Sequence, residues 1–367
     1  MRAALFTEVG RPVEVVDDIE LEGPRAGEVR VRVAACGVCH SDVSLINGTF
    51  PSMGQTIVGH EAAGVVTEVG EGVRSLSVGD HVVLTPNPAC GVCDYCTKGL
   101  FSVCPSAMSI ATSMLPDGTT RLSRDGEVVY RGLGLAAWAD EVVVAESGAI
   151  RIDDDVPLDV ACVIGCAVQT GVGAAINTVS IQPGDSVLVL GAGGIGISIV
   201  QGAAISGATW IIVSDPSESR REQALRFGAT HVLDPTDTDV VARTMELTGI
   251  GADVAFDAVG SAELIRAGSD ATRNGGTTVM VGAAPVDDVY SMTPALAMFT
   301  EKRLVGSLLG SCWAPRDIPR LVELWRAGRL DLDSMVTSRR PLEEVNEAIA
   351  DLEAGRGLRT VLMISDS

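Results

Sequence analysis

Four cysteines, Cys90, Cys93, Cys96 and Cys104, lie within the fifteen-residue string CGVCDYCTKGLFSVC. Two consecutive C-x-x-C steps and a fourth thiol eight residues later suit a tetrahedral zinc site with every position filled by sulfur. Gly91, Asp94, Lys98 and Gly99 give this loop the turns that such a wrap needs. Two disulfides are the competing reading. Nothing else in the chain reads as secreted, and thiols this close in a reducing compartment are more often metal ligands. A closed site of this kind holds a lobe together and does no chemistry, so the reactive centre must lie elsewhere.

Cys39 sits in GVCHSD, His60 and Glu61 in GHEAAG, and Cys166 in IGCAVQTG. A catalytic zinc takes about three protein ligands and keeps one position open. Cys39, His60 and Cys166 supply S, N and S. Each alone is weak, because a lone histidine is usually a satisfied polar side chain and cysteine is often buried. The set gains force from a glycine motif downstream, GAGGIG at 191–196. It follows the apolar run Ser186–Leu190 and opens a helix-like stretch. Gly191, Gly193 and Gly196 fit G-x-G-x-x-G: a tight turn, close approach to a pyrophosphate, and close helix–strand packing. A second apolar run, Trp210–Ser214, ends in Asp215, about 20 residues on, where a carboxylate meets the ribose 2′-OH. That carboxylate repels a 2′-phosphate, which argues for NAD over NADP. Arg220 and Arg221 nearby pull the other way.

With these motifs in order, the chain resembles the zinc-dependent medium-chain alcohol dehydrogenases, in the two-zinc branch with the liver-type and class III enzymes. The likeness runs from GEVRVRVAACGVCHSD and GHEAAGVVTEVGEGV through the four-cysteine lobe, LPDGTTR, GCAVQTGVGAAINT and GAGGIG to LEEVNEAIADLEAGRGLRTVL. It implies two zinc ions per chain, a catalytic one on Cys39, His60 and Cys166 and a structural one in the lobe. It also implies NAD-linked oxidation of an alcohol to the aldehyde, and the reverse. Zinc acts as a Lewis acid that lowers the pKa of an alcohol, as it lowers that of water to about 7.

The resemblance assigns further roles. Ser41 takes the alcohol proton, Asp42 orients His60, and Glu61 stands behind the metal with Arg359 near it. His40 and Arg359 face the cofactor phosphates, and Thr170 packs on the nicotinamide. Gly191, Gly193, Gly194, Ile195, Gly196, Asp215, Arg220, Val281 and Ala283 complete the cofactor set. Phe50, Pro86, Met108, Trp138 and Leu309 are expected to line an apolar substrate pocket. Primary alcohols with medium-length, allylic or aromatic groups should fit it best.

Two departures from the family pattern matter. Ser44 stands where liver-type enzymes place a histidine that completes proton release, and serine does not titrate near pH 7. Met108 and Phe50 stand where class III enzymes hold an arginine and an acid for a glutathione adduct. An apolar pair cannot pair with carboxylates, which disfavours a thiol-adduct formaldehyde dehydrogenase. A non-catalytic zinc- and NAD-binding homologue is opposed by the intact Cys39, His60, Cys166 and Ser41.

These residues need scaffolding, and the chain has length for two domains. It has 367 residues with 46% hydrophobic content, enough to bury two cores. Short β-like runs between Gly and Pro turns fill residues 1–168, which suits a Greek-key β domain, GroES-like by the resemblance. Strands alternate with helices over 169–305 (SVLVL, TWIIVSD, THVLD, DVAFDAVG, GTTVMVG, RLVGSL), the pattern of a doubly wound parallel Rossmann sheet. Residues 306–367 carry two amphipathic helices and are expected to rejoin the first domain; the zinc lobe spans about 88–106. The uncharged segment Ser186–Ser214 reads as a buried β-α-β unit rather than a membrane span. A formal charge of −21 argues against nucleic acid and anionic membranes and for small-molecule partners. MRAALFTEVGR lacks the apolar run of a signal peptide, so a cytoplasmic enzyme with reduced thiols is expected. The long segment 105–138 resembles the loop of dimeric two-zinc relatives, so a homodimer is expected.

Overall fold

The computed structural model describes residues 1–365. The chain forms two compact units. The first takes Met1–Cys166, Trp313–Gly328 and the stretch from Leu332 to the end of the described chain. The second takes Ala167–Cys312 with the short return Arg329–Asp331.

In the first unit, VRVRV alternation does what a half-buried strand requires. Val29, Val31 and Val33 are fully buried, while Arg30 leans out towards Glu68 and Glu141 at 3.4 and 3.6 Å. This strand, Glu28–Gly37, pairs antiparallel with Glu61–Val69, Glu141–Ala145 and the C-terminal strand Arg359–Met363. His81–Leu84 and Ala149–Ile152 extend one side of the sheet, and Val336–Pro341 extends the other. A second sheet of four strands contains Ala3–Phe6 at its centre. The antiparallel β domain expected of the N-terminal half is therefore present, and its last strands come from the chain's end.

The second unit is a six-stranded, all-parallel sheet. Its order is His231–Leu233, Trp210–Ser214, Ser186–Leu190, Ala252–Asp257, Thr272–Met280, Arg303–Gly306. Every one of the six runs read as a strand is one. The order reverses between Ser186–Leu190 and Ala252–Asp257, and ligands of such sheets bind at that switch point, beyond the carboxyl ends of the strands. Helix Gly194–Ser206 has buried residues from Gly196 through Ala203, so its lack of charge reflects burial in protein. Among the described residues no single helix is long and apolar enough to cross a membrane.

Candidate metal centres and nucleotide cavity

The lobe cysteines converge as their spacing demands. The four sulfurs of Cys90, Cys93, Cys96 and Cys104 lie within 4.8 Å of one another. Every cysteine among the described residues is free, so the disulfide reading fails. The lobe is built from one short helix, Asp94–Thr97, and tight turns at Gly91 and Gly99, both with positive φ. Backbone N–H groups of Val92 and Cys93 bring the Cys90 thiol down to about 6, whereas burial pushes Cys96 up to about 12. Phe101 stacks on Trp313 at 5.0 Å, which ties the lobe to helix Ala314–Arg326 of the same unit. Four converging sulfurs, enough to fill a tetrahedral site, fit a structural zinc ion.

The second cluster is deeper. Cys39 caps the helix His40–Ile46, and its sulfur lies within 4.8 Å of the His60 ring and the Cys166 sulfur. All three are buried. Asp42, with no exposed surface, organises two of them: one oxygen accepts the Cys39 N–H at 3.0 Å. The other accepts the Gly59 N–H at 3.2 Å and meets His60 Nδ1 at 2.8 Å. With Nδ1 so engaged, Nε2 is the nitrogen left to a metal. Burial alone would push the His60 pKa down, but the Asp42 carboxylate outweighs it and holds it well above the ordinary value. The hydrogen bond from the Cys166 thiol holds Cys39 well below the usual thiol range, aided by Arg359 and His60. One thiolate beside a second thiol and an imidazole is a donor set that fits zinc and leaves a position open.

Two glycines make this geometry possible. Gly59 has φ of +90°, and a Cβ there would lie 2.3 Å from the Trp138 ring. A Cβ on Gly37 would lie 2.2 Å from the Glu61 carboxylate. Glu61 itself is fully buried, and the Arg359 guanidinium approaches it to 3.4 Å while donating to the Val38 carbonyl at 3.0 Å. Arg359, read from sequence as a phosphate-facing residue, is thus committed to Glu61 and 3% exposed. Ser41 is half-buried in the first helical turn, two residues from Cys39, and His40 is exposed.

The expected pocket residues differ in exposure. Phe50 is half-buried against the core, Pro86 is buried, and Met108 is exposed. Trp138 corrects the sequence reading. It has no exposed surface and packs inside the main core of the first unit, so it braces Gly59 rather than lining an open pocket. In the second unit Leu309 and Val281 are buried, and Ala283 is exposed. Thr170 is 5% exposed and its hydroxyl has no hydrogen-bond partner among the described residues, an orphan that a bound ligand would satisfy.

At the switch point of the parallel sheet lies a cavity of about 560 Å³. Gly191, Asp215, Arg220, Val241 and Leu264 are among its walls. Gly191 has φ of +96°, and a Cβ on Gly196 would lie 1.9 Å from the Gly191 carbonyl, so the third glycine is required for close packing. Gly193 faces open space at the mouth of helix Gly194–Ser206, and Gly194 and Ile195 form its first turn. Unpaired N–H groups there suit phosphate. Asp215 is 3% exposed; its oxygens accept from the N–H groups of Ala192 and Ser217, both at 2.8 Å. Arg220 stands 3.9 Å from it. The sequence reading missed Asp257, which anchors loop 258–261 by accepting from Val259, Gly260 and Ser261. Its signal was present in DVAFDAVG: an acid at a strand's carboxyl end before a glycine turn.

Comparison with known proteins identifies the family of both units. Residues 25–154 match the alcohol dehydrogenase GroES-like domain, and residues 194–327 match the zinc-binding dehydrogenase domain. An NDMA-dependent alcohol dehydrogenase of Amycolatopsis methanolica is 38% identical over 368 residues, covering 99% of each chain. The crystal structure of benzyl alcohol dehydrogenase from Acinetobacter calcoaceticus superposes with a TM-score of 0.93 at 30% identity, over 99% of each chain. A zinc-binding dehydrogenase from Sinorhizobium meliloti, bound to NADP, superposes with a TM-score of 0.80 at 27% identity, again over 99% of each.

Proposed function

The chain belongs to the zinc-dependent medium-chain alcohol dehydrogenases, oxidoreductases that use zinc and a nicotinamide cofactor, and on that premise we propose a specific activity. It oxidises primary alcohols with medium-length, allylic or aromatic groups to aldehydes and runs the reverse reduction, with NAD as cofactor and two zinc ions per chain. The observation that carries this reading is the buried convergence of Cys39, His60 and Cys166, held by Asp42.

Zinc held there supplies a Lewis acid that makes an alcohol proton easy to lose, and the nicotinamide supplies the hydride acceptor. The chain's residues do the rest. Asp42 fixes the tautomer and rotation of His60. Ser41, one helical residue beyond His40, would accept the alcohol proton while giving its own hydroxyl proton to water, since Ser44 offers no titrating base. Glu61 and Arg359 set the charge behind the centre as a buried pair. Gly191, Gly193 and the N–H groups at the start of helix Gly194–Ser206 hold the pyrophosphate, and the buried Asp215 receives the ribose hydroxyls.

Asp215 supports NAD because a 2′-phosphate would meet a carboxylate that is 3% exposed. Arg220, at 3.9 Å, is largely neutralised by it. The apolar character of Phe50, Pro86 and Met108 favours apolar substrates: each buried CH₂ contributes about 0.8 kcal/mol. Polyols would lose water from hydroxyls that gain no partner, at about 1–3 kcal/mol each. We also propose a homodimer, on the likeness of segment 105–138 to the loop of dimeric relatives.

The test is kcat/KM across ethanol, hexanol, benzyl alcohol, geraniol and sorbitol, with NAD and with NADP, with and without an artificial electron acceptor. Formaldehyde with glutathione is a further arm. Hexanol, geraniol and benzyl alcohol should lead. Ethanol or sorbitol at the head of the series, or dependence on the thiol, overturns the reading.

A further inference from the structure

The short helix Ala167–Gly173, which carries Thr170, is gripped within the second unit from two sides. On one side Gly171 meets the start of helix Gly194–Ser206: a Cβ there would lie 2.4 Å from the Ser198 side chain and 2.5 Å from the Ile195 carbonyl. On the other side sits the turn Leu309–Ser311. A Cβ on Gly310 would lie 2.3 Å from the Gln169 carbonyl and 2.8 Å from that of Thr170, and one on Gly173 would lie 2.5 Å from the Cys312 sulfur. The turn follows Ser307, just past the carboxyl end of strand Arg303–Gly306, and ligands of parallel sheets bind beyond those ends.

That turn cannot hold its shape by its own sequence. Leu309, Gly310 and Ser311 are three consecutive residues with positive φ, +47°, +66° and +52°. A left-handed leucine is uncommon and persists only where its surroundings over-determine it. The groups that fix it come from the wide helical turn Ala174–Thr178, which continues helix Ala167–Gly173. Widened turns of this kind recur at functional sites. The Thr178 hydroxyl meets the Ser307 and Ser311 hydroxyls, each at 2.9 Å. A hydroxyl can donate to one and accept from the other, so a single side chain ties both ends of the turn. Asn177 adds contacts from its amide nitrogen to the Cys312 sulfur at 3.4 Å and the Gly310 carbonyl at 3.5 Å. Neither Asn177 nor Thr178 belongs to the metal or cofactor sets named above.

We propose that Thr178 is a positioning residue for the nicotinamide end of the cofactor. By fixing the turn after Ser307 it holds helix Ala167–Gly173, and with it Thr170, where the ring is received. This rests on Thr170 facing the nicotinamide, the reading given above. The Thr170 carbonyl is an atom that Gly310 packs against, and the hydroxyl of the same residue is the one left without a partner. A turn free to relax lets that residue shift, whereas the adenosine end, held by Gly191 and Asp215, does not feel the change.

The experiment compares Thr178→Val, which deletes the hydroxyl at nearly constant volume, with Thr178→Ser, which keeps it. Thr178→Val should raise KM for NAD roughly ten-fold, the scale of a lost buried hydrogen bond, with zinc content unchanged. ADP-ribose, which keeps the adenosine and pyrophosphate but lacks the nicotinamide, should inhibit parent and variant with the same constant. Thr178→Ser should return KM for NAD to the parent value. A merely structural role would instead weaken NAD and ADP-ribose alike. If Thr178→Val does not fold, Ser311→Ala, which removes another of the three hydroxyls, carries the same comparison. Thr170→Ala separates the proposal from its premise. An unchanged KM for NAD in that variant removes premise and proposal together; a raised KM there with none in Thr178→Val overturns the proposal alone. Equal weakening of NAD and ADP-ribose, or no recovery in Thr178→Ser, also overturns it.

Discussion

The Asp42 carboxylate touches His60 Nδ1 at 2.8 Å with one oxygen and the Cys39 N–H at 3.0 Å with the other. One buried side chain thereby sets the positions of two metal donors that lie twenty-one positions apart in the chain. Asp42→Asn keeps the shape but weakens these contacts. It should lower zinc affinity at the catalytic centre by roughly 10–100-fold, with the lobe metal retained. Zinc content measured against a graded chelator series checks this; unchanged retention of both ions would refute it.

The two metal centres should separate by mutation. Cys39→Ala should abolish turnover and leave the fold and the lobe metal in place. Cys93→Ala should instead cost on the order of 2 kcal/mol or more of stability, since a closed site contributes folding energy. Metal analysis together with thermal melts distinguishes the two. Active, freshly purified protein with one zinc ion or none would count against the whole assignment.

Asp215→Ala should reduce kcat/KM for NAD by about ten-fold or more, the loss of charged hydrogen bonds to the ribose. The same change should raise kcat/KM for NADP, with Arg220 freed from its neighbour. Steady-state kinetics with both cofactors decides it. A parent enzyme that already prefers NADP would be decisive against the role given to Asp215.

Gly59→Ala asks the backbone to hold φ of +90° with a methyl group 2.3 Å from the Trp138 ring. The cost should be about 3 kcal/mol from strain and overpacking together. It should persist in metal-free protein, because it arises in the core. Urea midpoints of both proteins, with and without chelator, measure it.

Asp117 carries a pH dependence. Burial alone would raise its carboxyl, but Arg121 and Thr119 outweigh it and bring it down to about 2. An unfolded aspartate titrates near about 3.9. The stabilisation is therefore complete above about pH 4 and is lost as the pH falls through about 2. The stability difference between the parent and Asp117→Asn should be constant above pH 4 and shrink towards zero near pH 2. A difference that grows on acidification would reverse the sign of the argument.

Much of the site was legible because its chemistry needs rare residues at strict intervals. The four lobe cysteines could be listed from spacing, Cys39, His60 and Cys166 from residue type together with the glycine motif and the family resemblance, and GAGGIG with Asp215 from the period of a β-α-β unit. Trp138 was not legible, since an aromatic that fills a core and one that lines a pocket look alike in sequence. Arg131 was hidden for a related reason: it reads as a surface cation, yet it is 2% exposed and gives its donors to the Gly134 and Val143 carbonyls. Asp257 was missed because its work is done on backbone N–H groups, which sequence does not display. Gly59 and Gly37 show the same limit, as their necessity depends on neighbours far along the chain.

The pairing of Glu61 with Arg359 also bears on the order in which the enzyme is made. All three donors of the catalytic centre have left the ribosome once Cys166 has emerged. Arg359, and the strand Arg359–Met363 that docks beside Cys36 and Gly37, come only after the entire nucleotide-binding unit. At about 5–20 residues per second that interval is on the order of ten seconds or more. During it, the nascent centre holds Glu61 without its guanidinium partner and a sheet with one edge still open. Translation thus delivers the ligands first and their electrostatic counterweight last, so the centre reaches its final field only when the tail docks.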